Sequence, residues 1–215
     1  MEKEALKRIF NFLEEKEEHN KPLKLKLIFN EPLTEEELNV KGDLNLRHAN
    51  ITSLPEGLKV DGDLMLTFSK IASLPDDLQV GGSLNLSYTK ITSLPDDLQV
   101  GGSLNLSYTK ITSLPKKLKV GGSLDLNNSK ITSLPEGLVV REFLDLYSCS
   151  YLYSLPEGLK VAGNLDLSYS NITSLPKGLK VAGLMRIGYT SLKKYTDEQI
   201  REMVKPGFIK GKIYR

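Results

Sequence analysis

The sequence contains no tryptophan, a single cysteine (Cys149) and only two histidines, His19 and His48. One cysteine cannot build a disulfide framework of the kind that staples small extracellular domains, so a reducing compartment is expected. The histidines sit in different segments, with no Cys or carboxylate cluster at ligand spacing, which argues against a metal site. No stretch approaches the roughly 18 apolar residues of a membrane-spanning helix. The first residues, MEKEALKRIFNFLEEKEEHNK, are charged throughout and lack a continuous apolar run, so they do not read as a secretory leader. Neither sign of charge prevails. Lys+Arg 29 against Asp+Glu 27 leaves +2, too little to demand a polyanionic partner.

What the chain has in abundance is itself. Residues 73–95 read SLPDDLQVGGSLNLSYTKITSLP, and residues 93–115 read the same letters again. This twenty-residue period runs through imperfect copies at 41–60, 61–80, 81–100, 101–120, 121–140, 141–161 (one residue longer), 162–181 and a partial copy from 182. A period of this length marks a solenoid, in which each copy buries its apolar face only against its neighbours.

In the copy 101–120, the apolar slots are Leu104, Leu106, Ile111, Leu114, Leu118 and Val120, at positions 4, 6, 11, 14, 18 and 20. Leu-x-Leu predicts a short strand with both leucines inward and the residue between them outward. Stacked copies predict a parallel sheet. Leu114-Pro115 ends the extended run, because proline has no amide donor. The return limb, about 114–120, is too short for a normal helix and must be extended or a single turn, and Gly101-Gly102 reads as the corner into the next strand. Six buried aliphatics per copy, at about 1.5–3 kcal/mol each before entropy, make a sufficient core once copies stack.

This pattern resembles the leucine-rich repeat, consensus LxxLxLxxNxL, in its short bacterial form with Leu-Pro after the strand. The resemblance covers about 150 residues. In detail the chain is similar to small bacterial and phage repeat proteins and to the repeat region of secreted bacterial effectors. The resemblance implies a fold that is α/β by class but mostly β: a right-handed leucine-rich-repeat solenoid with a parallel concave sheet. Eight strands are expected from the repeats and a ninth from the N-terminal cap. It further implies a non-enzymatic protein-protein interaction module, a bacterial or phage factor that binds a host or defence protein in the cytoplasm of a bacterium or infected host cell. The sequence departs from the family at position 9, where the usual Asn is Ser or Thr in most copies (Ser69, Thr89, Thr109, Ser129, Ser170, Thr190), a hydroxyl ladder able to bond similarly. The catalytic domain of the effectors has no counterpart after the repeats.

The expected division is an N-terminal cap at 1–40, repeats at 41–195 and a C-terminal cap at 196–215, together one structural domain. Leu6, Ile9, Phe10 and Leu13 form an amphipathic stripe. Leu23, Leu25, Leu27 and Phe29 alternate with Lys24, Lys26 and Ile28 and read as a strand, the start of a degenerate first repeat. Thr196 with Gln199 has capping-box spacing, and Ile200, Met203 and Val204 supply an apolar stripe. The tail FIKGKIYR reads as a covering strand.

Candidate chemistry is sparse. Some effector ligases of the family use a cysteine, but Cys149 falls at position 9, where a structural role is the simpler reading. Asp76-Asp77 and Asp96-Asp97 resemble carboxylate dyads, yet Lys116-Lys117 replaces them in the next copy, which favours a solvated turn. No catalytic residue, cofactor or metal is expected. Phe68, Tyr88, Tyr108, Tyr169 and Tyr189 form a row at position 8, beside Lys70, Lys90, Lys110 and Lys130 at position 10. Such rows could stack bases and hold phosphates, but the outward acids Asp43, Asp63, Asp125, Asp145 and Asp166 oppose nucleic acid. The copy 141–161 breaks its own pattern: Arg141-Glu142 replaces Gly-Gly, and Phe143 and Tyr147 stand at outward positions. A protein-contact patch is therefore expected around Tyr88, Tyr108, Asp125, Phe143, Asp145, Tyr147 and Tyr169.

Overall fold

The structure is a computed structural model that describes residues 21–215; the stripe of Leu6, Ile9, Phe10 and Leu13 lies outside the described residues. Among these, parallel two-residue strands recur at the repeat interval. Leu44–Asn45, Leu64–Met65, Leu84–Asn85, Leu104–Asn105, Leu124–Asp125, Leu144–Asp145, Leu165–Asp166, Met185–Arg186 and Ile213–Tyr214 line up in one nine-stranded sheet. The register is one rung per repeat, with Leu84 opposite Leu104 and Leu104 opposite Leu124. Position 4 and 6 leucines point inward and are fully buried, Leu104 and Leu106 at 0 % exposure. With Ile111, Leu114, Leu118 and Val120 they belong to a single core running the length of the stack.

Eight strands of this sheet come from the repeats, as expected. The ninth is Ile213–Tyr214 from the C-terminal tail, paired with Met185–Arg186, and not a strand from the N-terminal segment. The segment read as a strand there is a helix, α1 (Leu23–Phe29). Leucine at every second place also places Leu23 and Leu27 one turn apart, and the helical alternative prevails. Leu23 and Leu27 pack on the core, while Leu25 and Phe29 are exposed. Pro22, with φ of −54°, starts the helix without losing an amide, and Asn30 ends it in the left-handed region at φ 53°. Lys26 is buried because its Nζ lies 2.8 Å from Glu37 Oε1.

The return limb, expected to be extended or a single turn, ends in two-residue strands that pair into ladders of their own. Asn39–Val40, Lys59–Val60, Gln79–Val80, Gln99–Val100 and Lys119–Val120 make a five-stranded ladder; Val139–Val140, Lys160–Val161, Lys180–Val181 and Phe208–Ile209 make a four-stranded one. The break between them falls where Arg141-Glu142 replaces the glycine pair. Those glycines serve close stacking and not a positive-φ corner. A Cβ on Gly101 would lie 2.0 Å from the Gly81 carbonyl oxygen, and one on Gly121 only 1.9 Å from that of Gly101.

At the C-terminal end α2 (Asp197–Met203) begins with the anticipated capping box: Gln199 N donates to Thr196 Oγ1 at 3.2 Å, and Thr196 N to Gln199 Oε1 at 2.9 Å. Ile200 and Val204 are fully buried beneath it. The tail contributes Phe208–Ile209 to the four-stranded ladder and Ile213–Tyr214 to the nine-stranded sheet.

Candidate functional site

Each rung ends its strand in the same way. The position 5 side chain, Asn or Asp in most copies, folds back and accepts the position 7 amide: Asn105 Oδ1 from Ser107 N at 2.9 Å, Asp125 Oδ1 from Asn127 N at 2.9 Å, Asp145 Oδ1 from Tyr147 N at 2.8 Å. The position 9 amide then closes a turn on the position 6 carbonyl, as Ser129 N does on Leu126 O at 3.0 Å. Position 8 is the third residue of that turn, and its φ is positive in every rung: His48, Phe68, Tyr88, Tyr108, Asn128, Ser148, Tyr169 and Tyr189 all lie between 55° and 60°. Glycine and asparagine are favoured there, and an aromatic residue costs about 1–2 kcal/mol in such a conformation. Six of the eight are nevertheless ring-bearing. The compensation is stacking. His48, Phe68, Tyr88 and Tyr108 form a continuous column with centroids 5.1, 4.5 and 4.4 Å apart.

The column stops at Asn128 and Ser148. Beyond them Tyr169 and Tyr189 stack at 4.2 Å, and Tyr147, from the outward position 7 of the irregular rung, leans on Tyr169 at 5.2 Å and 56°. Tyr147 thus partly fills the space that Ser148 leaves in the row. Phe143 shares the outer face of the long sheet with Asp145, half-exposed two residues away. Its amide is held by Ser123 Oγ at 3.2 Å, the last step of a position 3 ladder that starts at Asp43. Phenylalanine offers no acceptor to pass on.

Register places Asp125 beside Asp145 and Asp145 beside Asp166, in mid-sheet. Arg186 answers Asp166 at 3.8 Å. Desolvation raises the carboxyl of Asp125 above its ordinary range. For Asp145, desolvation together with its two acidic neighbours pushes the carboxyl up to about 6, against the opposing effects of the Tyr147 amide and Arg186. The seven residues expected to form a patch therefore divide into groups. Tyr147 meets Tyr169 and its amide is held by Asp145, Phe143 shares the strand face of Asp145, and Asp125 is one rung away. Tyr88 and Tyr108 belong to the separate column across Asn128.

Other candidates resolve into structural roles. Cys149 is fully buried, with Sγ 3.1 Å from the Leu126 carbonyl and 3.8 Å from Ser129 Oγ, and burial pushes its thiol up to about 12. A thiol held so far from ionisation is a poor nucleophile at neutral pH. The position 9 hydroxyls do not form a ladder between rungs; Thr89, Thr109, Ser170 and Thr190 each donate to the carbonyl three residues back in their own rung. Asp76, Asp77, Asp96 and Asp97 are exposed on the turns, where Asp77 accepts the Gly57 amide at 2.8 Å and Asp97 pairs with Lys117 at 3.0 Å. Of the lysine row, Lys130 is drawn aside over the Tyr151 ring at 4.6 Å. Among the described residues there is no His/Cys/Asp/Glu group able to hold a metal ion, and no helix long and apolar enough to cross a membrane. The left-handed backbone at position 8 was missed by sequence reasoning; the signal was available in Asn128, a residue favoured at positive φ, standing with Ser148 in an otherwise ring-bearing row.

No protein-family profile matches this chain, and no curated protein resembles it in sequence. Among solved structures it is similar to the leucine-rich-repeat domain of a Shigella effector, at 19% identity over 89% of this chain and 84% of that one, with a TM-score of 0.46. The assignment of architecture rests on the chain's own register: inward Leu-x-Leu strands, one per twenty residues, stacked in parallel around one core. In fold, the chain is a leucine-rich-repeat solenoid.

Proposed function

We propose that the chain is a non-enzymatic protein-binding module that engages a protein partner through the outer, concave face of the nine-stranded sheet, around Tyr88, Tyr108, Asp125, Phe143, Asp145, Tyr147 and Tyr169. The observation that carries this reading is the irregular rung. Where the repeat is otherwise copied closely, 141–161 places Phe143 and Tyr147 outward, where no core can use them. Aromatic side chains on such a face gain most when a second protein covers them. The setting follows the family resemblance: a bacterial or phage factor acting on a host or defence protein in the cytoplasm.

The acidic row in mid-sheet repels phosphate, so a nucleic-acid partner runs against the electrostatics of this face. The test is affinity capture from a lysate of the encoding organism, or of its host, with the parent chain and with Phe143→Ala/Tyr147→Ala. A partner retained by the parent and lost by the variant is the expected result. Equal capture by both, or turnover of a small substrate with no protein captured, would refute the reading.

A further inference from the structure

The aromatic column is interrupted at two successive rungs, Asn128 and Ser148. Successive rings from Phe68 to Tyr108 sit 4.4–4.5 Å apart, the spacing of the rungs themselves. Asn128 follows at the same position, with the same left-handed backbone at φ 55°, so the rung is in register and only the ring is missing. Among the described residues, no ring meets the far face of Tyr108. On the next rung Tyr147 stands at position 7, tilted onto Tyr169. The floor between them is polar and half-buried: the Asn128 amide donates to the Asn127 side-chain oxygen. A flat group entering here would stack on Tyr108 and find amide partners below, with Tyr147 on the following rung.

Charge selects the surroundings of that group. Asp125 lies on the strand leading to Asn128, and Asp145 is its neighbour in register. Asp166, the third of the row, already takes a guanidinium from Arg186, whereas no ion pair within the described residues engages Asp125 or Asp145. The row therefore accepts a cation at one end and offers two carboxylates without one beside the break.

Resting on the protein-binding reading above, we infer that the notch at Asn128 receives an aromatic side chain of the partner, flanked in the partner's sequence by lysine or arginine that engages Asp125 and Asp145. The occupant is a basic-aromatic peptide segment. A nucleobase has the flat face but brings its phosphates against the acidic row.

The chain has no tryptophan, so indole fluorescence reports on an added peptide alone. The probe is blocked Lys-Trp-Lys, titrated with the full chain, with amide chemical shifts recorded in parallel. Binding should shift Tyr108, Asn127, Asn128 and Tyr147. Asn128→Tyr supplies the missing ring on a backbone that tyrosine already adopts at Tyr88 and Tyr108, and it should weaken the peptide by about tenfold. Tyr108→Ala removes one wall and should do the same, which keeps the test decisive if the first variant folds poorly. Glu-Trp-Glu should bind more weakly than Lys-Trp-Lys. Undiminished binding to both variants, or tighter binding of oligothymidylate than of the peptide at the same residues, would overturn the notch assignment. Shifts at Phe143 and Asp145 that spare Asn128 would overturn it too, while leaving the protein-binding reading standing. That reading itself falls if partner capture is indifferent to Phe143 and Tyr147.

Discussion

Asp145 shows how much of this surface is set by single residues. Its carboxyl, ordinarily near 3.8, sits at about 6 in the folded chain because it is desolvated beside Asp125 and Asp166. The native state therefore holds this proton more tightly than the unfolded state does. Stability from this group is complete below about pH 4, declines as pH rises towards about 6, and is gone above it. Asp145→Asn should remove that slope. It should also stabilise the chain at neutral pH by about 1 kcal/mol, a value discounted for the solvent that reaches the side chain. Asn85 and Asn105 already fill the same place and accept the same turn amide, so the substitution fits. Chemical denaturation of both proteins at about pH 4 and pH 7 reads the difference; equal slopes would contradict the desolvation account. For Cys149, the native thiol should resist alkylation at mildly alkaline pH and react only after unfolding, followed by mass spectrometry. Cys149→Ser should leave partner binding intact. Rapid labelling of the native chain would contradict its burial.

The elements are short enough that stacking, and not strand length, holds each one. At two residues per strand, a rung has little structure of its own, and the close approach of successive corners becomes decisive. Gly101→Ala should destabilise by about 1–3 kcal/mol, because its Cβ would collide with the Gly81 carbonyl. Gly42→Ala, with open space around the added methyl, should be close to neutral. Thermal melts of the pair read this contrast; comparable losses would show that the glycines matter for flexibility instead. Leu106→Asp, a charge forced into a fully buried site, should abolish cooperative folding.

The same scale explains what was legible in the sequence. Inward leucines repeat at fixed slots, so the long sheet and its core could be read directly. The second set of strands could not, because two residues such as Lys119–Val120 carry no periodicity. Leu23, Leu25, Leu27 and Phe29 satisfied both a strand and a helix pattern, and only packing decided between them. The aromatic row, and its interruption at Asn128 and Ser148, were visible as letters; that the row stands on left-handed backbone depends on φ, which letters do not display.

For the whole molecule, a regular scaffold carries one irregular rung, and the proposed function depends on that contrast. Positions copied from rung to rung serve the stack: the position 3 acceptors, the position 5 turn-makers, the corner glycines. Phe143 and Tyr147 depart from this scheme and point outward beside an acidic row. Nucleic acid should accordingly show no measurable affinity at physiological salt, and Lys90→Glu with Lys110→Glu should change nothing in partner binding; steep salt-dependent binding to DNA or RNA would argue for the lysine row instead. The most direct measurement is calorimetric titration of the captured partner against three proteins: the parent, Phe143→Ala/Tyr147→Ala, and a variant with Asp76, Asp77, Asp96 and Asp97 changed to Asn on the opposite turns. The account expects all three to fold, the turn variant to bind like the parent, and the patch variant to lose about thirtyfold or more in affinity, as when a central aromatic anchor is truncated. Parent-like binding by the patch variant, with binding lost in the turn variant, would contradict it.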